Sequence, residues 1–240
     1  MKKNKFSKKV VITGSQGCIG TILKDGLSDI FNLYLIDIKE RDSANTFNVD
    51  ISCEYDKLVN IFKNKDIILH LAWNFFEDFP KETIDYKNKV MAENIYKAAI
   101  EAGVKRVIMA SSVHANDYSF VNKNNKVSPE DNPWPDSPYG ASKVYMESLG
   151  KYFARYHKLE VICIRFGGVN SKNAVIYEED PDYDKVLLYK EDCVSVINNC
   201  IMAKKVKNFF SVFYAISNNK KSVHDISNSF NWLPKYPLDN

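Results

Sequence analysis

Residues 13–20 read Thr-Gly-Ser-Gln-Gly-Cys-Ile-Gly, between a short apolar run and an amphipathic stretch. This turn constrains the chain more than any other feature. Gly14 suits a tight turn, Gly17 lets the backbone approach a ligand, and Gly20 lets a helix pack closely on the preceding strand. Residues 10–13 predict a buried strand. Residues 19–30 predict a helix, with Ile19, Ile22, Leu23, Gly26, Leu27 and Ile30 at helical spacing. A helix that opens on such a turn presents free N–H groups and the positive end of its dipole, which together hold phosphates. Glycines alone are weak evidence; the strand–turn–helix context gives them meaning.

The alternation continues down the chain. Residues 33–36 predict a second strand, 55–62 a helix with Leu58, Ile61 and Phe62 on one face, and 66–72 a third strand. Residues 83–102 predict a long helix that stops at Gly103, and 106–110 another strand. Residues 116–136 are polar and carry Pro129, Pro133 and Pro135, which predicts a loop over an active-site edge. A helix over 139–156 and a strand over 160–166 follow. Residues 167–240 then hold a loop, a helix near 192–203, a strand near 209–216 and a short helix near 223–230. Strands alternating with helices imply parallel βαβ units, and so an α/β fold with a doubly wound parallel sheet and helices on both faces. With 240 residues, no long linker and no repeat, one domain is expected, with 167–240 as a small substrate-binding region.

Asp37 ends the second predicted strand, 17 residues after Gly20. A carboxylate there binds adenosine ribose hydroxyls and repels a 2′-phosphate, which favours NAD over NADP. Lys39 and Arg41 lie just beyond and work against that preference. Asp50-Ile51 sits where such folds contact the adenine ring.

Residues 139–143 read Tyr-Gly-Ala-Ser-Lys, so Tyr139 and Lys143 share one helical face. A free phenol, with a pKa of about 10, is a poor base at neutral pH. A neighbouring ammonium favours the phenolate by Coulomb attraction. The phenol then exchanges a proton with a substrate hydroxyl or carbonyl while hydride moves to or from a nicotinamide. Ser111 and Ser112 end the preceding strand, at the edge where open α/β sheets bind ligands, and a serine hydroxyl there can hold the reacting oxygen.

Composition narrows the classes. The net charge of +3, from 33 basic and 30 acidic residues, is too near neutral to imply a nucleic-acid partner. Lys2, Lys3, Lys5, Lys8 and Lys9 crowd the start, read as a solvated tail ahead of the first strand. No stretch approaches the ~18–20 apolar residues of a membrane span. Five cysteines without Cys-x-x-Cys spacing suggest neither a disulfide framework nor a zinc site, so reduced thiols, a cytoplasmic location and no metal are expected.

Taken together, Thr13-Gly14-x-x-Gly17-x-x-Gly20, Asp37, Asp50-Ile51, His70-Leu71-Ala72, Asn88, Ser111-Ser112 and Tyr139-x-x-x-Lys143 resemble the extended short-chain dehydrogenase/reductases, the NAD-dependent epimerase/dehydratase family. The resemblance spans residues 10–166 and implies a Rossmann sheet that binds NAD. It implies that Ser112 is the catalytic serine, that Tyr139 is the acid/base, and that Lys143 lowers the phenol pKa and holds the nicotinamide ribose. Leu71, Ala72 and Trp73 are then expected to line the cofactor, with Asn88 in the helix behind. Gln16, Cys18, Ile19, Ser111 and Phe166 complete the expected cofactor contacts, and Val113 and His114 join Ser112 and Tyr139 at the substrate. A homodimer built on helices 83–102 and 139–156 is also implied.

Within the family, Ser137 to Gly150, Ile164-Arg-Phe-Gly-Gly168, Glu191-Asp192 and the Trp232-Leu-Pro-Lys tail are similar to uronate-dehydrogenase-like proteins. Two departures stand out. Ser-Ser-Val113-His114 replaces the Ser-Ser-Asn-His of that subgroup. Residues 167–190 hold Lys172, Lys185 and Lys190 but no arginine, and a lysine offers no bidentate fork to a carboxylate. The leading expectation is an NAD-dependent dehydrogenase or reductase acting on a sugar or sugar acid. The first alternative is a nucleotide-sugar epimerase, dehydratase or 4-keto reductase, against which the short region after residue 166 argues. The second is a non-catalytic NAD sensor, against which the retained Tyr139 and Lys143 argue. Among the remaining residues, His70 reads as a strand-end group, and His157 and His224 as surface or helix-end groups. Trp73, Phe75 and Phe76 either wall a substrate pocket or pack under the loop. Asp78, Glu82 and Asp85 form no catalytic carboxylate pair.

Overall fold

The computed structural model describes residues 8–74, 85–119, 121, 125–177 and 181–237. Seven strands form one sheet: β1 (Lys9–Thr13), β2 (Asn32–Asp37), β3 (Thr46–Asn48), β4 (Ile67–His70), β5 (Arg106–Ser112), β6 (Glu160–Phe166) and β7 (Phe210–Ala215). The order is β3-β2-β1-β4-β5-β6-β7, and every neighbouring pair is parallel. The strands are near-continuous apolar runs because helices cover both faces. All four residues of β4 and all seven of β5 are buried.

The helices among the described residues are α1 (Cys18–Leu27), α2 (Tyr55–Phe62), α3 (Tyr86–Glu101), α4 (Pro138–His157), the single turn α5 (Tyr183–Val186) and α6 (Lys190–Met202). One apolar layer joins the sheet to α2, α3 and α4 through residues such as Leu58, Ile95 and Met146. The other joins it to α1 and α6 through Leu23, Leu27, Val196 and Ile197. The doubly wound expectation is met. β1 lies between β2 and β4, so the chain leaves it in both directions, and the crevice at that switch point is where such sheets take ligands.

Two expectations differ from the structure, and one strand had no expectation. α1 stops at Leu27, so Ile30 is 41% exposed while Phe31 turns inward. β3 is a short strand at the sheet edge with no strong pattern of its own, paired through Leu35–Thr46 to Asp37–Asn48. Residues 223–230 are not a helix. Val127 N–H donates to Val223 O (2.8 Å) and Asp225 N–H to Val127 O (3.0 Å), while Asn228 Oδ1 accepts from Phe230 N (3.0 Å) and Trp232 N (3.2 Å). Side-chain acceptors here take the amides that a helix would need. The lysine tail is half outside the described residues: Lys2, Lys3 and Lys5 lie beyond them. Lys8 Nζ, by contrast, donates to Ile201 O at 2.8 Å, and Lys9 opens β1. Phe75, Phe76, Asp78, Glu82 and the start of the 83–102 helix also lie outside the described residues.

Candidate active site

The glycine turn joins β1 to α1 and faces the loop after β4. Gly14 has φ +69°, and a Cβ there would stand 2.7 Å from Ala72 N. A Cβ on Gly20 would overlap the Gly14 carbonyl oxygen. Both sites therefore exclude any side chain, which keeps the backbone of the turn open on its outer side. Gly17 caps α1 with no side-chain cap and no acidic residue in the first turn, so the amides and dipole of the helix point at the cleft uncancelled.

That cleft holds about 840 Å³ and runs from Gly14, Gln16 and Gly17 past Asp37, Asp50 and Ile51 to Leu71, Ala72 and Trp73. The Asp37 carboxylate accepts from Gln16 N (3.1 Å) and Lys39 N (3.0 Å). The Ser52 hydroxyl (2.6 Å) and amide (2.9 Å) bind Asp50 Oδ1 and hold its carboxyl below the ordinary range despite some burial. Asn88, fully buried on α3, grips residue 74 twice: Oδ1 accepts from Asn74 N (2.8 Å), and Nδ2 donates to Asn74 O (3.2 Å). This clamp fixes the loop that carries Leu71, Ala72 and Trp73, the place behind the cleft that the sequence suggested. Cys18 is exposed, its thiol toward Val169 O at 3.6 Å. Ile19 is half-buried, and Phe166 is buried against the α1 and α6 layer.

Beyond Trp73, α4 begins at Pro138, and its first turn packs against the residues that follow β5, so closely that a Cβ on Gly140 would overlap the His114 carbonyl oxygen. Ser137 caps it, accepting from Gly140 N at 3.1 Å. Lys143 is 3% exposed, and its ammonium donates to Ala110 O at 2.9 Å. It stands 5.3 Å from the Tyr139 ring centroid and 3.7 Å from that of Trp73, a cation–π contact on each side. The indole N–H of Trp73 and Nε2 of His70 are buried without a hydrogen-bond partner among the described residues. His70 ends β4 and meets Thr13 Oγ1 at 2.8 Å; burial first, and the Lys143 charge second, push its pKa down to about 3. It is thus a neutral strand-end group, as the sequence suggested.

The two serines part company. Ser111 Oγ donates to the buried Glu147 at 2.5 Å, away from the cleft. Ser112 stays at the strand end, its hydroxyl accepting from His114 N at 3.3 Å. Val113 is 2% exposed and packs with Tyr118, Val186 and Tyr214. His114 lies with its ring 5.9 Å from that of Tyr139, and its Nδ1 pairs with Asp136 Oδ2 at 2.7 Å. Asp136 Oδ1 also accepts from Ser137 Oγ at 2.7 Å, so it ties His114 to the cap of α4. Sequence reasoning passed over Asp136, Asn74 and Glu40, because each reads as an ordinary polar residue of a loop. His224 is corrected: it is 3% exposed, between the rings of Tyr118 (5.0 Å) and Tyr214 (4.8 Å), where the side chains of an irregular segment close over it.

The residues present fit an NAD molecule. The side-chain-free turn and uncapped helix suit a pyrophosphate, and Asp37 suits a ribose diol.

The comparisons agree with this geometry. L-arabinose 1-dehydrogenase (NAD(P)(+)) of Haloferax volcanii is 30% identical over 184 residues, 72% of each chain. Uronate dehydrogenase of Pseudomonas syringae is 31% identical over 164 residues, 66% of this chain and 58% of that one. The crystal structure of uronate dehydrogenase from Agrobacterium tumefaciens superposes with a TM-score of 0.81, covering 95% of this chain and 84% of that one; at 24% identity it speaks to the fold alone. Residues 10–189, from the first strand through the glycine turn and the Tyr139–Lys143 helix, match the profile of the NAD dependent epimerase/dehydratase family, and the chain belongs to that family.

Proposed function

We propose that this chain is an NAD-dependent oxidoreductase that moves hydride to or from a sugar or sugar-acid substrate. The observation that carries the reading is the buried Lys143 ammonium, 5.3 Å from the Tyr139 ring beside a cleft that fits the dinucleotide. The dinucleotide, when bound, supplies the hydride acceptor or donor. Tyr139 moves the proton, exchanging it at the phenol oxygen with the substrate oxygen. Lys143 favours the phenolate by Coulomb attraction, strengthened by its burial, and the Ala110 carbonyl holds it in place. Ser112 holds the reacting oxygen by a hydrogen bond. His114, set by Asp136, faces the same oxygen-rich substrate from the other side of Tyr139. The family relatives that act on L-arabinose and uronate support a sugar-type substrate.

The same reading takes the chain as one domain, in which residues 167–240 supply the substrate side while also giving β7 to the sheet. It includes residence in the cytoplasm and a homodimer formed by α3 and α4.

Tyr139→Phe tests the mechanism. In a screen of aldoses, uronates and sugar nucleotides followed by NADH absorbance, the variant is expected to lose about a thousandfold in turnover while still binding NAD. A fully active variant rules the mechanism out. NADH consumed only with 4-keto sugar nucleotides would move the reading to a 4-keto reductase, and sugar-nucleotide conversion seen by NMR without net NADH would move it to an epimerase or dehydratase.

A further inference from the structure

Two carboxylates, not one, stand on the side of the cleft where an adenosine ribose belongs. β2 ends at Asp37, and Glu40 N–H donates to Asp37 O at 3.2 Å, a turn that folds Glu40 back against the glycine loop. Glu40 Oε1 accepts from Ser15 Oγ at 2.8 Å and from Gln16 Nε2 at 2.6 Å. Ser15 is fully buried, so the carboxylate is anchored from behind, and Gln16 forms the rim of the cleft in front of it.

A ribose 2′-phosphate carries roughly two negative charges and needs several donors. Three donors on this rim, the Gln16 and Lys39 amides and the Gln16 side chain, are already taken. Asp37 binds Gln16 N and Lys39 N, and Glu40 binds the Gln16 side chain. A phosphate would have to displace protein carboxylates from those donors and sit close to their charge. A ribose hydroxyl asks for neither; it needs only an acceptor, which Asp37 provides.

Resting on the reading that this cleft takes a nicotinamide dinucleotide, we propose that Glu40 is a second determinant of cofactor choice. It draws the Gln16 side chain away from the ribose and adds a negative charge behind Asp37. NADP is thereby refused although Lys39 and Arg41 flank the site. Removing Asp37 alone therefore leaves the Glu40 contribution in place.

The test is titration calorimetry of the full chain with NAD and NADP, for the wild type, Glu40→Gln, Glu40→Asp, Asp37→Ser and Glu40→Gln/Asp37→Ser. Glu40→Gln keeps an oxygen acceptor for Ser15 and Gln16 and removes only the charge. It is expected to lower the ratio of the NADP to the NAD dissociation constant about tenfold, in the wild-type and in the Asp37→Ser background alike. Glu40→Asp keeps the charge, and its ratio should stay within about threefold of the wild type. A ratio unmoved by Glu40→Gln in both backgrounds overturns the proposal. A ratio moved as far by Glu40→Asp also overturns it, since packing and not charge would then be responsible. A wild type that binds neither dinucleotide defeats the functional reading itself. A wild type that binds NAD, with a ratio insensitive to Glu40, defeats only this inference.

Discussion

A histidine buried as the neutral ring is harmless to stability at pH 7 and harmful below its ordinary pKa. His224 and His70 are both of this kind, each with a pKa pushed down to about 3. For His224 burial is the main cause, followed by the charges of Arg165 and Lys185, and the facing groups are the phenols of Tyr118 and Tyr214. Above about pH 6.5 the ring is neutral in both the folded and unfolded chain, and pH has no leverage through it. Below that, the unfolded chain takes up protons that the folded chain refuses. Stability then falls by up to about 1.4 kcal/mol per pH unit per histidine as the pH drops toward 3. Urea unfolding at pH 7, 6 and 5 is expected to show this decline, with His224→Phe removing about half of the slope. A flat profile in the wild type would be incompatible with two buried neutral histidines. His70 was legible as a strand-end residue, but His224 was not: it lies in a polar segment, and only the rings of Tyr118 and Tyr214 packed on either side bury it.

At the scale of the element, α4 carries Tyr139, Lys143 and Glu147 four residues apart on one face. The first two serve the chemistry proposed for the site; the third holds the helix. Glu147 accepts from Arg165 Nε (2.9 Å) and Nη2 (2.8 Å) on β6 and from Ser111 on β5, all three groups buried. Removing the carboxylate strands a buried guanidinium that keeps, among the described residues, its bond to the Tyr214 hydroxyl. Glu147→Gln is expected to destabilise the fold by about 3 kcal/mol, and Glu147→Leu combined with Arg165→Met by less. Denaturant midpoints check this, and unchanged stability in Glu147→Gln would contradict it. Elements with a strong apolar period were legible: α2 and β6 match the expected bounds residue for residue. Residues 223–230 were not, because Val223 and Phe230 are apolar anchors held by separate neighbours and happen to fall at helical spacing. Ser111 and Ser112 were legible as a pair, but adjacent strand residues point to opposite faces, and only the packed α4 decides which hydroxyl is taken by a glutamate.

Over the whole molecule, α3 and α4 lie side by side, joined by Tyr145 to Glu93 (2.9 Å) and Tyr96 to Met146 O (3.2 Å). Tyr86, Tyr152 and Tyr156 on these helices are 73%, 50% and 64% exposed, amphipathic rings of the kind that interfaces use. Light scattering at micromolar concentration is expected to give twice the 27.6 kDa chain mass, and a monomer would refute the homodimer. The sequence by itself determined the sheet, the glycine turn, the Asp37 carboxylate and the Tyr139–Lys143 pair. Each of these is a local pattern, set by spacing, by turn chemistry or by the apolar runs that a parallel sheet demands. Only the tertiary structure decided that Glu40 reaches the glycine loop, that Asp136 pins His114 to the cap of α4, and that Trp73 stacks on Lys143. Those contacts join residues far apart along the chain, and a pairing across a folded chain leaves no period in the sequence to read.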